Sequence, residues 1–349
     1  MADEIKETMP DGTVLSPLYQ TICGAMQSDG TLPPDFSLPR PEPEGAPRSI
    51  RFADGAFDGI ALYHMAPDKR DIKSLTEVVG LLCAGACDKA AECLHLYFSM
   101  DEYISMLPLC DDLQQWILDH KDRIDATLLY NGCLYLLRHS GDIESIKFAL
   151  CCLELLNTGS DTQVRNLVQV LALSDEFTLF CLFLMRHWPD SSAALFDTAR
   201  HVHGWGRIHA VELLEPENDE MRRWLLLEGW QNTVMPEYSA LTCVEKSGLA
   251  EKLHRAALDA DELSALGKLL PHLLEEGPVA GISALENADV FLQDYLALTE
   301  QHAISFLDDA AVCALRSYAA KQEPANEALL QRCDALLRSA PTQKNDTKQ

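Results

Sequence analysis

The sequence predicts an all-α protein in which short helices stack into an α-α superhelix, preceded by a proline-rich N-terminal strap. Two observations favour this fold class. Apolar residues recur every three or four positions over most of the chain, as at Ile72, Leu75, Val79 and Leu82, and this spacing places them on one helix face. Alternating apolar runs bounded by hairpin turns, which would indicate strands, are scarce.

The first 69 residues are expected to form an N-terminal extension. A short helix is predicted within residues 15–26. Six prolines within residues 31–48 indicate an extended segment, either a linker or a strap over the helical body. Phe36 and Leu38 would anchor such a strap.

Two Asp-Gly steps follow the proline-rich segment, at Asp54-Gly55 and Asp58-Gly59. Carboxylates four residues apart beside glycines suit calcium in principle, but the segment is too short for an EF-hand loop. Both steps are therefore expected to be turns.

Residues 70–339 are expected to form the helical-repeat domain, and the polar residues 340–349 a disordered tail. Ser174 and Asn218 precede helical patterns and are predicted N-caps. Pro271 is expected to divide a helix. The later helices are predicted at residues 248–257, 260–276, 288–301, 306–321 and 323–338.

Each predicted helix pair is too small to bury its own apolar stripe, so neighbouring pairs must cover it. No strict sequence period is evident over residues 70–335. In this respect the region resembles HEAT and armadillo-type repeats, whose members share shape more than motif. That resemblance implies an irregular helical solenoid.

The charge of the chain constrains its partners. Lys and Arg number 28 against 54 Asp and Glu, which gives a formal charge of −26. This charge disfavours nucleic acid and anionic membranes and suits a basic protein partner, although an acidic surface without a specific partner is the alternative. No apolar run reaches about 18 residues without a charge, so no membrane span is expected.

Twelve cysteines are spread through the apolar helical patterns and include no Cys-x-x-Cys pair. They are expected to be core thiols, not metal ligands or disulfides. Residues 1–8 are acidic and lack the apolar run of a signal peptide. The sequence therefore predicts a reducing, cytoplasmic setting.

The most unusual stretch is Arg-His-Val-His-Gly-Trp-Gly-Arg-Ile-His at residues 200–209, which gathers cations and an indole in an acidic chain. It is expected to be a tight turn between two helices, with Gly204 as the helix stop. A following helix capped by Asn218 carries a second group of arginine and tryptophan residues, at 222–230. Adjacent solenoid layers would bring both groups to one cleft.

Three interpretations of this stretch compete. In the first, arginines hold an anionic group of a ligand or peptide while Trp205 or Trp224 supplies a flat wall. In the second, His201, His203 and His209 bind a metal, although their spacing is not a strong zinc signature. In the third, the residues only hold a sharp turn together.

Motifs for catalysis are absent from the sequence: there is no G-x-S-x-G, P-loop, G-x-G-x-x-G or H-E-x-x-H. The segments at 203–212, 224–229 and 51–59 resemble a family of uncharacterised bacterial proteins, some of which carry the label limonene hydroxylase. The resemblance implies a shared turn around Trp205 and no known reaction. The chain has neither the cysteine loop of a haem-thiolate enzyme nor a phosphate-binding glycine turn for a flavin.

HEAT-like DNA glycosylases offer a fold-level analogy, in which Trp205, Arg207 and Trp224 would imitate the centre of a DNA-reading face. The net charge argues against this, because DNA binding needs a basic track.

The sequence therefore favours a binding or scaffold protein that recognises a protein or peptide partner, without a cofactor or a metal. The alternative is a hydrolase or metal-dependent enzyme that uses His201, His203 or His209. The binding cleft is expected to be lined by Arg200, His201, His203, Trp205, Arg207, His209, Arg222, Arg223, Trp224 and Trp230.

Overall fold

The protein is all-α, as its sequence predicts. The structure, a computed structural model, describes residues 7–8, 14–40, 52–65, 71–100, 104–301 and 306–339. Within these ranges the strands are limited to one antiparallel pair, β1 (Glu7–Thr8) and β2 (Val14–Leu15), in which Thr8 faces Val14.

The chain divides into two compact units, an N-terminal unit of Met1–Leu214 and a C-terminal unit of Glu215–Gln349. The predicted N-terminal extension, residues 1–69, falls within the first of these units, and its described part contributes to the core of that unit. Leu18, Ile22 and Leu38 are buried, and the Leu18 N–H donates to the Ser140 carbonyl at 3.0 Å.

The N-terminal unit is built from short helices. Its helices are α1 (Leu18–Ala25), α2 (Ala56–His64), α3 (Lys73–Cys83), α4 (Cys87–Ser99), α5 (Cys110–Asp119), α6 (Ala126–His139), α7 (Ile143–Glu154), α8 (Thr162–Leu171), α9 (Asp175–Met185), α10 (Ser191–His201) and α11 (Trp205–Leu213).

The C-terminal unit contains the remaining helices, and its first helix runs directly into a π-helical turn at Leu225–Gly229. Asn218 caps that first helix, as predicted, by accepting from the Met221 N–H. The helices are α12 (Asp219–Trp224), α13 (Glu237–Ser247), α14 (Leu249–His254), α15 (Ala260–Leu273), α16 (Ala288–Gln301), α17 (Phe306–Lys321) and α18 (Glu327–Ser339).

The centre of the N-terminal unit is formed by α7 and α9, which pack against each other. Every residue from Ser145 to Leu153 of α7 is buried, and the first turn of α9 is buried from Glu176 onward. Both sequences are apolar on nearly all sides, which is typical of a helix enclosed by neighbours. As a result, two charged residues of these helices, Lys147 and Glu176, lie inside the protein.

Several sequence predictions differ from the structure. Pro271 does not divide α15, because it lies in the last turn, where its missing N–H removes one hydrogen bond before the helix ends at Leu273. Asp54-Gly55 is a turn, but Asp58 and Gly59 lie within α2. Ser174 is at the N-cap of α9, yet its side chain makes no capping hydrogen bond.

The proline-rich segment is described only as far as residue 40, and that part is non-helical, as predicted. Leu38 is fully buried, and its N–H donates to Asp54 Oδ2 at 2.9 Å. It therefore anchors the segment as expected. Residues 41–48 and the predicted tail at 340–349 lie outside the described residues.

All twelve cysteines are free thiols, and most are buried in the core, as at Cys133, Cys152 and Cys181. Within the described ranges, every helix falls short of the length and apolar character that a bilayer crossing requires.

Two glycines in facing parts of the N-terminal unit allow a test of this packing. In α6, a Cβ on Gly132 would lie 2.9 Å from the side chain of Leu82, whereas nothing lies within 4 Å of one on Gly80 in α3. We expect Gly132→Ala to lower the free energy of unfolding by about 1–2 kcal/mol because it overpacks the core. Gly80→Ala is the matched control and should raise it by about 0.5–1 kcal/mol through helix propensity. Urea denaturation followed by circular dichroism measures both, and equal effects would contradict the packing.

Candidate functional site

The stretch singled out by the sequence is the turn between α10 and α11. The Arg207 guanidinium is buried at the C-terminus of α10, where its Nε donates to the Val202 carbonyl at 2.7 Å and the Ala199 carbonyl at 3.2 Å. Carbonyls at a helix end lack intrahelical partners, and positive charge is favourable beside them. Arg207 therefore closes the end of α10.

A carboxylate closes the start of α11 in the same turn. Asp175 Oδ1 accepts from the Gly206 N–H at 2.7 Å. A Cβ on Gly204 or Gly206 would lie less than 3.0 Å from the Asp175 carboxylate, so the close approach explains both glycines. Burial raises the pKa of Asp175 to about 6, against the opposing effect of the Gly206 hydrogen bond.

The indole of Trp205 lies in the interior and is only 5% exposed. It covers Gly59 of α2, where a Cβ would collide with the ring. Its neighbours are Tyr63 and His209, with ring centroids 6.2 and 6.0 Å away. Burial lowers the pKa of His209 to about 4, and His209 Nε2 has no hydrogen-bond partner among the described residues.

These positions correct one part of the sequence interpretation. Trp205 and Arg207 are buried, so the expectation that they face an open cleft is wrong. Both side chains pack beneath the α10–α11 turn. Whether the protein binds a partner stays a prediction.

The remaining polar residues of the stretch are closer to solvent. Arg200 lies over the Phe196 ring at 4.8 Å, and His201 Nδ1 is 2.6 Å from the Asp197 carbonyl. His203 is exposed, and its pKa is lowered by partial burial and by the nearby Arg207 charge. The described residues contain no group of three or more histidine, cysteine or acidic side chains suited to a metal.

The other predicted cleft residues belong to the C-terminal unit, where the arginines form ion pairs and the tryptophans are buried. Arg223 forms ion pairs with Asp259 at 2.5 Å and with Asp261 and Glu262 at 3.3 Å each. Arg222 Nη1 is 3.7 Å from Asp219 Oδ1. Trp224 and Trp230 are buried.

A second cluster of charges, which the sequence interpretation missed, lies in the centre of the N-terminal unit. Lys147 of α7 is 1% exposed. Its Nζ lies 2.6 Å from Asp58 Oδ2, 2.6 Å from Glu176 Oε1 and 3.0 Å from Glu144 Oε1. The ammonium therefore has one carboxylate partner for each of its three protons.

These carboxylates come from three helices and tie them together. Glu144 and Lys147 are one turn apart on α7, Glu176 lies in the first turn of α9, and Asp58 lies on α2. Glu176 Oε2 also accepts from Arg40 Nη2 at 2.6 Å and from the Gly55 N–H at 2.9 Å. The cluster therefore holds the N-terminal segment as well.

A cavity of about 240 Å³ opens beside this cluster. Its charged lining includes Arg40, Glu144, Lys147 and Glu176, and we call it the Lys147 cavity. Arg40 Nε is buried there without a hydrogen-bond partner in the described part of the chain.

The rest of the lining of the Lys147 cavity is aromatic and polar. His95 Nδ1 lies 3.2 Å from Asp142 Oδ2 on one side. Three phenylalanine rings contribute the apolar surface: Phe52, Phe57 and Phe98.

The protonation of the cluster follows from its geometry. Burial opposes the charge on Lys147, but the three carboxylates outweigh it and raise its pKa well above the usual value. Burial, together with the neighbouring carboxylates, raises the pKa of Glu144 to about 7. Lys147 thus stays an ammonium and is no nucleophile, whereas Glu144 changes charge near neutral pH.

One sequence signal could have revealed this site. Lys147 is the sole charge in the run from Ile146 to Leu153, where every neighbour is apolar or a thiol. A lysine inside such a run is buried only with acidic partners. Those partners are distant in sequence, so the sequence indicates a buried charge without naming Asp58 or Glu176.

Comparisons with protein-family models, with curated proteins and with solved structures found no match to this chain. They therefore identify neither a HEAT or armadillo family nor the bacterial family that the turn around Trp205 resembles.

The buried Asp175 allows a test of the α10–α11 turn by pH. Its pKa of about 6 lies above the ordinary 3.8, so its contribution to stability is greatest at low pH and is lost as pH rises through 6. Asn keeps the oxygen that accepts from Gly206 but cannot ionise. We expect Asp175→Asn to be more stable relative to wild type at pH 7.5 than at pH 4.5, by about 2–3 kcal/mol.

Urea denaturation at both pH values measures this difference. Comparing the variant with wild type at each pH cancels the effect of other titrating groups, such as Glu144, because both proteins contain them. The same difference at both pH values would contradict a buried, titrating carboxyl at the turn.

Proposed function

We propose that the chain is a helical binding protein that recognises a positively charged group of a protein or peptide partner in the Lys147 cavity. The observation that carries this proposal is the imbalance of charge at the cavity. Three carboxylates line it, from Asp142, Glu144 and Glu176, against two fixed cations, Arg40 and Lys147.

Two more carboxylates lie directly behind this lining. Asp58 Oδ2 contacts Lys147 Nζ, and Asp54 Oδ1 lies 3.4 Å from Arg40 Nη2. Both cations are thus already shared among acids, and negative charge remains in excess. An ammonium group entering the cavity would offset that excess, because charges attract strongly where water is excluded.

The apolar lining supports the same choice of ligand. The faces of phenylalanine rings attract cations, and they also pack against hydrocarbon chains. A lysine side chain offers both kinds of group, because its ammonium is carried on a flexible four-carbon stem. A cavity of about 240 Å³ is of the right order for one such side chain and too small for a large cofactor.

The overall charge of −26 favours the same class of partner by steering basic surfaces toward the chain. The proposal keeps the protein or peptide partner expected from the sequence and places its recognition away from the α10–α11 turn. We further propose a HEAT- or armadillo-like stacking of the helices within each unit and, on the basis of the buried thiols, a cytoplasmic setting.

A pair of short peptides tests this function. The first, Ac-Gly-Gly-Lys-Gly-Gly-amide, carries an ammonium, and the second replaces its lysine with uncharged norleucine. We expect the lysine peptide to bind at pH 8 with a Kd of about 1 mM or tighter, and the norleucine peptide to bind at least tenfold more weakly. Ligand-observed NMR titration measures both constants.

Glu144 makes the test specific to this cavity. Because its pKa is about 7, it is ionised at pH 8 and mostly protonated at pH 6, so wild-type binding should weaken about tenfold on going to pH 6. Glu144→Gln should weaken binding at pH 8 and remove most of this dependence. Glu92→Gln, on the exposed side of α4, changes the net charge equally and is the matched control. Equal binding of the two peptides, or equal effects of the two variants, would refute the proposal.

A further inference from the structure

A larger cavity, of about 600 Å³, lies elsewhere in the N-terminal unit, where α1, α6 and α8 meet. Tyr19 and Gln20 of α1 form one side, and Arg138 and His139 form the end of α6. Gln163 and Asn166 line it from α8. None of the described residues that line it is acidic, which is unusual in a chain of this charge.

Arg138 is the fixed charge of this cavity, and its only partner among the described residues is neutral. Turned so that its oxygen faces Arg138, the Gln163 amide would accept from Nη2 at 2.6 Å and from Nη1 at 3.3 Å. Other arginines of the same unit bind carboxylates: Arg165 pairs with Asp190 at 2.7 Å and Arg186 with Glu154 at 2.6 Å. The guanidinium of Arg138 therefore lies at the cavity wall without a carboxylate paired to it among the described residues.

Asp161, which directly precedes the lining residue Thr162, is engaged by other donors. Asp161, the N-cap of α8, accepts from the Gln163 and Val164 N–H groups and from the Tyr130 hydroxyl at 2.5 Å. These hydrogen bonds hold the pKa of Asp161 below its usual value, the Tyr130 bond most of all, so its carboxylate stays ionised and its oxygens are engaged by the helix end and the phenol. It does not pair with Arg138.

We propose that this cavity binds an organic monocarboxylate, whose carboxylate pairs with Arg138. A guanidinium presents parallel N–H donors that match a carboxylate in a bidentate geometry. One guanidinium that lacks a paired carboxylate matches one negative charge, which favours a carboxylate over a dianionic phosphate.

The cavity also has room for the rest of such a ligand. Its volume is that of a small-molecule site and far exceeds a carboxylate. The amides of Gln20 and Asn166 can bind polar groups of the ligand, while the rings of Tyr19 and His139 offer flat apolar surface. An aromatic or amide-bearing acid therefore fits the lining.

This site is separate from the Lys147 cavity and does not depend on the function proposed above. The two share no lining residue: Arg138 and His139 line one, and Gly141 and Asp142 line the other. Between them, the Leu18 N–H donates to the Ser140 carbonyl.

The test uses N-acetyl-tyrosine, which carries a carboxylate, and N-acetyl-tyrosinamide, which lacks it. Binding of both to the full chain is measured by ligand-observed NMR, with inorganic phosphate as a competitor. We expect the acid to bind at least tenfold more tightly than the amide, and phosphate to displace it only weakly.

Arg138→Gln should weaken binding of the acid about tenfold or more, because it removes a charge-assisted pair. Arg123→Gln is the matched control, since it removes an exposed arginine of the same unit and should leave binding unchanged. Asn166→Leu, at an exposed position of α8, supplies a second variant in case Arg138→Gln fails to fold, and it should also weaken binding.

Equal binding of acid and amide, or equal effects of the two arginine variants, would overturn the proposal. Tighter binding of phosphate than of the acid would overturn the choice of a carboxylate. Glu144→Gln should leave binding of the acid unchanged, so this result is separable from the peptide test of the Lys147 cavity.

Discussion

The ammonium of Lys147 sits in the centre of the N-terminal unit and is compatible with folding only because three carboxylates surround it. Moving a single charge into a protein interior costs several kcal/mol, and a buried pair offsets that cost only when the geometry is good. Here the ammonium nitrogen lies 2.6–3.0 Å from one oxygen of each of the three carboxylates. The requirement for these contacts fixes α2, α7 and α9 relative to one another.

The same constraint extends to the α10–α11 turn through two adjacent residues at the start of α9. Glu176 binds Lys147, while its neighbour Asp175 accepts from Gly206 at the start of α11. Gly55 contacts both of these residues. Its N–H donates to the Glu176 carboxylate, and its backbone lies so close to the Asp175 carbonyl that a Cβ would not fit. Its φ of 74° is also one that glycine adopts readily. The charged cluster and the turn are therefore one connected structure.

Much of the fold was predictable because the signals that specify it involve residues close together in the sequence. Helix periodicity, caps such as Asn218 and the absence of strand patterns depend on residues close in sequence. The open cleft expected around Trp205 and Arg207 depended on contacts between residues distant in sequence. Arginine and tryptophan residues near glycines were interpreted as a recognition surface, but the glycines serve a close approach to Asp175, about thirty residues away. Asp58 was expected in a turn, yet its carboxylate points to Lys147, 89 residues further along. Such long-range pairings leave no local pattern.

The unfolding free energy of Lys147→Met tests the central claim most directly. Removing the ammonium alone leaves the buried carboxylate of Asp58 without its ion-pair partner and leaves Glu176 with Arg40 as its only cation among the described residues. At pH 8 we expect a loss of about 3–5 kcal/mol, and partial recovery when Asp58→Asn and Glu176→Gln are added. Chemical denaturation measures all of these proteins. A Lys147→Met variant as stable as wild type would contradict the account, because it would show that the ammonium and its carboxylates do not hold the unit together.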